Sequence, residues 1–189
     1  MKKQINKKRI AELTRELLVE LGEDPDREGL RGTPDRVAES WAYLTSGYRQ
    51  TPRQVLNQAV FESHTNHMII LRNIEIYSLC EHHMLPFYGR CHVGYIAQEK
   101  VVGVSKIARI VNCFARRLQI QERLTDQIAN AIMDEAKAEG VGVVMQCRHL
   151  CMMMRGVEKQ NSEMTTSVVL GSFRADAAAR QEFLSLIRN

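Results

Sequence analysis

The sequence has no long apolar segment and no large excess of one charge. Its 189 residues are 44% apolar and 25% charged, and the formal net charge is +4. The apolar runs are too short for a membrane helix, which needs about 20 mostly apolar residues in a row. The basic start, MKKQINKKRI, leads into an amphipathic pattern rather than the apolar centre of a secretion signal. We therefore expect a cytoplasmic protein that does not contact membranes.

The sequence also lacks the cysteine pattern of a secreted, disulfide-bonded protein. It has five cysteines, an odd number, and no secretion signal accompanies them. Their thiols are therefore available as metal ligands or as small core residues. The small positive charge permits an anionic ligand but does not require nucleic acid.

The pattern of apolar residues changes near residue 67. Helical periodicity dominates residues 1–66, which we interpret as an N-terminal helical segment. Residues 67–189 form a second domain, in which two segments rich in Ile, Val and Tyr precede two amphipathic helices, and two further strand-like segments follow. This order predicts an α+β domain with a four-stranded antiparallel sheet and two helices on one face.

The segment CEHH is a candidate metal-binding turn. It places Cys80, His82 and His83 within four positions. A Cys-x-x-His pair alone is weak evidence, because packing or a surface loop explains it equally well.

A second segment, CRHLCMMMR, strengthens the metal interpretation. If it is a continuous strand, Cys147, His149, Cys151 and Arg155 point to the same side, because side chains alternate along a strand. The alternative is that the cysteines are small buried residues and the histidine is a hydrogen-bonded core residue.

A meeting of Cys80, His83 and Cys151 would favour zinc. Two thiolates and one imidazole form a borderline-soft ligand set that suits Zn²⁺. Structural zinc sites usually have four protein ligands, whereas catalytic sites have three and an open position. Three ligands with His82 and His149 nearby therefore favour a catalytic site, since imidazole can transfer protons near neutral pH.

Residues 103–125 form a basic segment that could bind an anion. We predict that Ser105 is the N-cap of a helix, with Lys106 and Arg109 in its first turns. A helix N-terminus with Lys and Arg is suited to phosphate, although a solvated basic face is the commoner meaning of such a run. Glu122 could form a salt bridge with a neighbouring basic side chain. Alternatively, its carboxylate could accept two hydrogen bonds from the edge of a guanine.

Five motifs together resemble the GTP cyclohydrolase I family: CEHH, GVSKIARIV, RRLQIQERLT, HLCMMMRGV and TTSVVLGSF, in this order. The resemblance is close over residues 70–188 and covers the N-terminal third in outline. It implies the T-fold (tunnelling fold) and a toroidal homodecamer of two pentamers with active sites between subunits. It also implies conversion of GTP and water to 7,8-dihydroneopterin triphosphate and formate, the first step of folate and pterin biosynthesis.

The same resemblance implies roles for individual residues. A zinc-activated water would attack C8 of guanine while His149 protonates N7, and His82 would assist ring opening. Ser105 would act in the later rearrangement of the sugar. The implied site residues are Cys80, His83 and Cys151 for Zn²⁺, His82, His149 and Ser105 for catalysis, and Gln121, Glu122, Lys106, Arg109 and Arg155 for the substrate.

Other functions remain as alternatives at this stage. The nitrile reductase of queuosine synthesis has the T-fold but uses a cysteine nucleophile without zinc, and pyruvoyl-tetrahydropterin synthases bind zinc through three histidines. A ligand set of two cysteines and one histidine argues against both. A non-catalytic zinc module could bind nucleic acid through residues 103–123, but this helix offers only Phe114 for stacking, on its apolar stripe. A catalytically inactive homologue is disfavoured because every motif residue is present.

Overall fold

The computed structural model describes residues 4–63 and 67–188. Its α-helices are α1 (Lys7–Glu20), α2 (Thr33–Leu44), α3 (Pro52–Leu56), α4 (Val104–Ala115), α5 (Gln121–Ala136), α6 (Leu150–Met153), α7 (Ser172–Ala175) and α8 (Ala177–Ile187). Its strands are β1 (Val60–Glu62), β2 (Met68–Cys80), β3 (Pro86–Ile96), β4 (Lys100–Val102), β5 (Leu118–Gln119), β6 (Gly140–His149) and β7 (Met164–Gly171). Among these described helices, none is long and apolar enough to cross a membrane.

The main sheet has the strand order β5-β2-β3-β6-β7. The four long strands, β2, β3, β6 and β7, pair with one another in antiparallel fashion, which confirms the predicted four-stranded sheet. The short strand β5 is an addition that the sequence did not predict. It runs parallel to the end of β2, where Cys80 pairs with Gln119.

Helices α4 and α5 cover one face of the sheet, as predicted. Their apolar stripes are fully or almost fully buried, because they pack on alternate residues of the strands. The stripes consist of Ile107, Ile110, Val111 and Phe114 in α4 and of Leu124, Ile128, Ile132 and Ala136 in α5.

Helix α8 packs on the opposite face of the sheet through Phe183, which is fully buried. The ring lies over Gly94 of β3 and Gly142 of β6, which are register partners. A Cβ atom at Gly94 would lie 2.6 Å from the ring, and one at Gly142 would lie 2.7 Å from it. The ring can therefore pack directly on the sheet because neither glycine has a side chain at this point.

The N-terminal segment is joined to the rest of the chain by packing and by a small ribbon. Helix α1 packs on α2, and α3 packs on α4. Strand β1 pairs with β4 in a separate two-stranded sheet, where Val60 faces Val102. The predicted domain boundary after residue 66 falls beside residues 64–66, which lie outside the described residues, and stays a prediction.

Both outer strands of the main sheet leave most of an edge open among the described residues. Strand β5 pairs with β2 only at Leu79 and Cys80, so the preceding part of β2 has no strand on that side. At the other end of the sheet, β7 pairs only with β6. Such edges present unpaired backbone groups that can pair with another chain.

Candidate metal centre and substrate pocket

Cys80, His83 and Cys151 meet at one end of the sheet. One ligand atom from each lies within 4.8 Å of the other two, and the Cys80 Sγ and His83 Nδ1 atoms are 3.7 Å apart. Zinc bonds of about 2.3 Å to sulfur and 2.0 Å to nitrogen would place tetrahedral ligands roughly 3.6 Å apart. Both the chemistry and the spacing of these three donors therefore fit Zn²⁺.

The three ligands come from the end of β2, the turn that follows it, and helix α6. Our prediction that Cys147, His149, Cys151 and Arg155 share one strand was wrong beyond His149. Strand β6 ends at that residue and α6 begins at Leu150. A helical turn, rather than strand alternation, therefore carries the Cys151 thiol to the other ligands.

A short, tightly bonded turn positions His83 relative to Cys80. The Cys80 backbone N–H donates to Leu85 O, and the Met84 N–H donates to Cys80 O, each at 2.8 Å. Met84 has a φ of 57°, in the left-handed region, so the chain reverses direction within these residues.

The Cys151 thiol is difficult to ionise without a cation. Burial raises the pKa of the Cys151 thiol, and the neighbouring Cys80 raises it further because two negative charges would lie side by side. A divalent cation between them would reverse this effect, since metal binding favours the thiolate form.

His149 is oriented by Gln121 and Phe87. Its Nε2 lies 2.8 Å from Gln121 Oε1, and its ring stacks on Phe87 with centroids 4.7 Å apart and an interplanar angle of 7°. Burial lowers the pKa of His149, whereas the negative charge of Glu122 opposes this effect.

The Gln121 side chain is engaged entirely with protein groups. It is 1% exposed, and its Nε2 lies 3.2 Å from Met145 O, 2.9 Å from Met164 O and 3.1 Å from Thr166 Oγ1. This inward orientation gives no support to the prediction that the Gln121 side chain contacts the substrate. It also fixes the amide orientation, because the nitrogen must face the two carbonyl groups.

Three further predicted site residues, His82, Glu122 and Arg155, are exposed. His82 Nδ1 is 4.0 Å from Cys80 Sγ, but His82 is outside the group of three ligands. Glu122 is exposed in the first turn of α5. The Arg155 Nη1 group donates to Cys151 O at 2.9 Å, which ties this arginine to the metal-binding helix.

Lys106 and Arg109 line a separate cavity of about 490 Å³, whose lining contains none of the three metal ligands. The Lys106 ammonium donates to Val55 O at 3.0 Å. Our prediction that Ser105 caps α4 was wrong: the N-cap is Gly103, and Ser105 lies exposed within the first turn. Lys106 and Arg109 are nevertheless in the first two turns, as predicted.

An ion pair that the sequence did not reveal lies beside the metal-binding turn. Glu81, next to the ligand Cys80, accepts a close hydrogen bond from the Arg123 guanidinium. This interaction lowers the pKa of Glu81. The two residues are far apart in sequence, so no local pattern could have indicated the pair. Thr166, for which the sequence suggested no role, binds both Gln121 and Thr125.

Comparisons with known proteins agree with the motifs. A family model described as GTP cyclohydrolase I matches residues 10–188. GTP cyclohydrolase 1 of Coxiella burnetii strain RSA 493 is 59% identical over 179 residues, covering 95% of this chain and 97% of that protein. GTP cyclohydrolase 1 of Leptospira biflexa is 60% identical over 176 residues, covering 93% and 96%. The apo crystal structure of the archaeosine synthase QueF-Like shares 14% identity, with a TM-score of 0.48 over 58% of this chain and 97% of that one. On the evidence of the family match and these close relatives, the chain belongs to the GTP cyclohydrolase I family.

Proposed function

We propose that the protein converts GTP and water to 7,8-dihydroneopterin triphosphate and formate, the first step of folate and pterin biosynthesis. The main support is the convergence of Cys80, His83 and Cys151 in a chain of this family, with His149 at the end of β6, two residues before Cys151. The free thiols of this centre need a reducing compartment, which favours the cytoplasm.

Cys80, His83 and Cys151 would hold Zn²⁺ and leave one coordination position for water. In such a position zinc lowers the pKa of water to about 7, which makes a hydroxide nucleophile available at neutral pH. This chemistry suits attack on C8 of the guanine imidazole ring.

His149 would supply the proton that makes C8 electrophilic. Because the Gln121 amide oxygen faces His149 Nε2, that nitrogen must carry a hydrogen. The proton for N7 of guanine would therefore come from Nδ1 of the imidazolium form, which leaves neutral His149 with its hydrogen on Nε2. The stack on Phe87 keeps the imidazole plane fixed. Exposed His82 would assist proton transfer during ring opening and formyl release, and the 4.0 Å distance from its Nδ1 to Cys80 Sγ supports this role.

The substrate-binding roles divide between two regions. Glu122 would accept hydrogen bonds from the ring N–H and the amino group of guanine, and its location near His149 supports this role. Lys106, Arg109 and Arg155 would bind the triphosphate, and exposed Ser105 would contact the sugar during the rearrangement.

We further propose a toroidal homodecamer of two pentamers, with each active site completed by neighbouring subunits. One observation supports assembly through the sheet, and another supports active sites shared between subunits. The outer edges of β2 and β7 are mostly open among the described residues. The cavity that contains Lys106 and Arg109 is lined by none of the metal ligands of the same chain.

Turnover of GTP by the purified protein tests the proposal. The pterin product is followed by absorbance and formate is measured separately, with zinc content determined for each sample. We expect both products from the wild type and joint loss of zinc and activity in Cys151→Ala. Cys91→Ala is the matched control, because Cys91 is a fully buried cysteine outside the metal centre and its loss should leave zinc in place.

The two products show which step of the proposed reaction fails. Formate without pterin would mean that ring opening occurs without closure, which directs attention to Ser105. Absence of both products from zinc-loaded protein would overturn the proposal. In that case the metal centre would act on a related purine substrate, or it would have a non-catalytic role.

A further inference from the structure

The Glu81–Arg123 ion pair lies between two features of the metal centre. Glu81 follows the ligand Cys80 and precedes His82 and His83 in the turn, whereas Arg123 is in the first turn of α5. Glu81 is outside the group of three ligands, and its carboxylate is engaged with the guanidinium instead. The pair therefore joins the metal-binding turn to a helix of the core.

The backbone connects the same elements. The Glu81 N–H donates to Gln119 O at 3.0 Å, and β5 pairs with the end of β2 at Cys80. Glu81 is thus held through both its main chain and its side chain. These two contacts fix the orientation of the backbone from which the His82 and His83 side chains project.

Arg123 is itself held in place by a buried amide. Its Nε donates to Gln119 Oε1 at 3.1 Å, and Gln119 is only 2% exposed. The Gln119 Nε2 group donates to Phe114 O at 3.1 Å and to Gln127 Oε1 at 2.9 Å. The guanidinium is therefore pre-oriented by contacts that reach α4 and α5, unlike that of a free surface arginine.

We propose that Arg123 and Glu81 are positioning residues for the metal centre. Arg123 holds the Cys80–His83 turn in its ligating geometry and keeps the Glu81 carboxylate from competing for the metal. Residues that orient the ligands of a metal commonly change metal affinity about 10–100-fold when they are replaced. An ion pair with side chains 41% and 33% exposed would otherwise have little effect.

Metal affinity of the full-length protein tests this role without reference to GTP turnover. The probe is Zn²⁺ itself, titrated into metal-free protein in competition with a chromophoric chelator. We expect Arg123→Ala to weaken zinc binding about 10–100-fold. Arg123→Lys should recover part of this loss, because it keeps the charge but not the planar contact with Gln119. Arg27→Ala is the matched control, since the Arg27–Glu23 pair is similarly exposed, at 50% and 45%, and lies away from the centre.

A second variant and a spectroscopic measurement distinguish positioning from general stability. Glu81→Gln keeps the size of the side chain and should also weaken zinc binding, and the effect of the double variant should be smaller than the product of the single effects. In Co²⁺-substituted protein, the thiolate charge-transfer bands should shift in both single variants while the melting temperature of the metal-free protein stays close to that of the wild type. Zinc affinity equal to that of Arg27→Ala would overturn the proposal. So would loss of affinity in Arg123→Ala with none in Glu81→Gln. Because GTP is absent, these results do not depend on the proposed reaction.

Discussion

The Gln121 amide oxygen lies 2.8 Å from His149 Nε2, and the amide nitrogen faces two backbone carbonyls and a hydroxyl group. Only an N–H at His149 Nε2 satisfies this arrangement. We therefore predict that neutral His149 exists as the Nε2–H tautomer in the substrate-free protein. Solid-state NMR of sedimented protein with ¹⁵N-labelled histidine should show it, with His149→Ala used to assign the signal. An Nδ1–H tautomer would contradict this prediction.

Replacement of Gln121 by methionine should slow the reaction without preventing substrate binding. We expect kcat to fall about 100-fold, the usual effect of a misplaced catalytic group, with a much smaller change in KM. Loss of the amide should also destabilise the fold by about 1–3 kcal/mol, because buried carbonyls lose their donor. Gln146→Met, at an exposed position of β6, is the control. A larger effect on KM than on kcat would indicate that Gln121 contacts the substrate after all.

The proposed sharing of active sites between subunits predicts recovery of activity when two inactive variants are mixed. His149→Ala removes a group beside the metal centre, whereas Arg109→Ala removes one from the separate cavity. If one site takes these residues from different subunits, mixed assemblies contain some sites with both intact. Subunits unfolded and refolded together should therefore regain up to about a quarter of wild-type activity, the random-mixing value. Each variant refolded alone is the control, and absence of recovery in demonstrably mixed assemblies would place both groups in one subunit.

The packing of Phe183 against Gly94 and Gly142 predicts that substitutions far from the metal centre lower the stability of the fold. Phe183→Ala should lower the free energy of unfolding by about 3–5 kcal/mol, because a fully buried ring is lost. Gly94→Ala should cost about 1–3 kcal/mol, because its new methyl group would overlap the ring. Leu186→Ala is the control, since that side chain is 45% exposed. Urea denaturation at one fixed protein concentration measures all three, and equal midpoints for Leu186→Ala and Phe183→Ala would contradict the packing argument.

The burial of His92 predicts that the fold loses stability in mild acid. It is 6% exposed, and burial lowers its pKa, as do the charges of Arg72 and Arg90. Arg188 is a further cation nearby, since it lines one cavity together with His92. The folded state therefore binds fewer protons than the unfolded state below the ordinary histidine pKa of about 6.5. Stability from this group is complete above that value and is lost as the pH falls through the lower folded pKa. Melting temperatures of metal-free protein should fall less steeply from pH 7 to 5 in His92→Gln than in the wild type, and identical slopes would refute the prediction.

Two kinds of feature could be predicted from the sequence: helices with a strong apolar periodicity, and metal ligands with distinctive side-chain chemistry. The stripe containing Ile107 and Ile110 and the one containing Leu124 and Ile128 are buried where the helical period required. Strand β5 was not predicted because two residues cannot display a period. Ser105 was assigned as a cap from its residue type alone, but the chain leaves β4 and enters α4 directly at Gly103 and Val104.

Contacts distant in sequence account for most of what sequence reasoning missed. Cys151 was expected to follow the alternation of β6, yet it reaches the metal centre because the chain turns into α6. The inward orientation of Gln121 depends on Met145, Met164 and Thr166, which lie on two strands much later in the chain. Such contacts depend on the relative placement of elements, which residue types do not encode locally.

The two edges of the main sheet that are open among residues 4–63 and 67–188 also limit the symmetry of any assembly formed through them. The edge of β2 and the edge of β7 are different surfaces at opposite ends of one sheet. Joining the first edge of one copy to the second edge of another is a heterologous contact, which leaves the same two edges free at the ends of every chain of copies. Growth of this kind stops only when the sheet curves back on itself, and otherwise it produces a filament. Strand twist and tilt therefore set the number of copies in a closed ring, so a substitution that alters sheet curvature can change ring size without touching a contact between subunits.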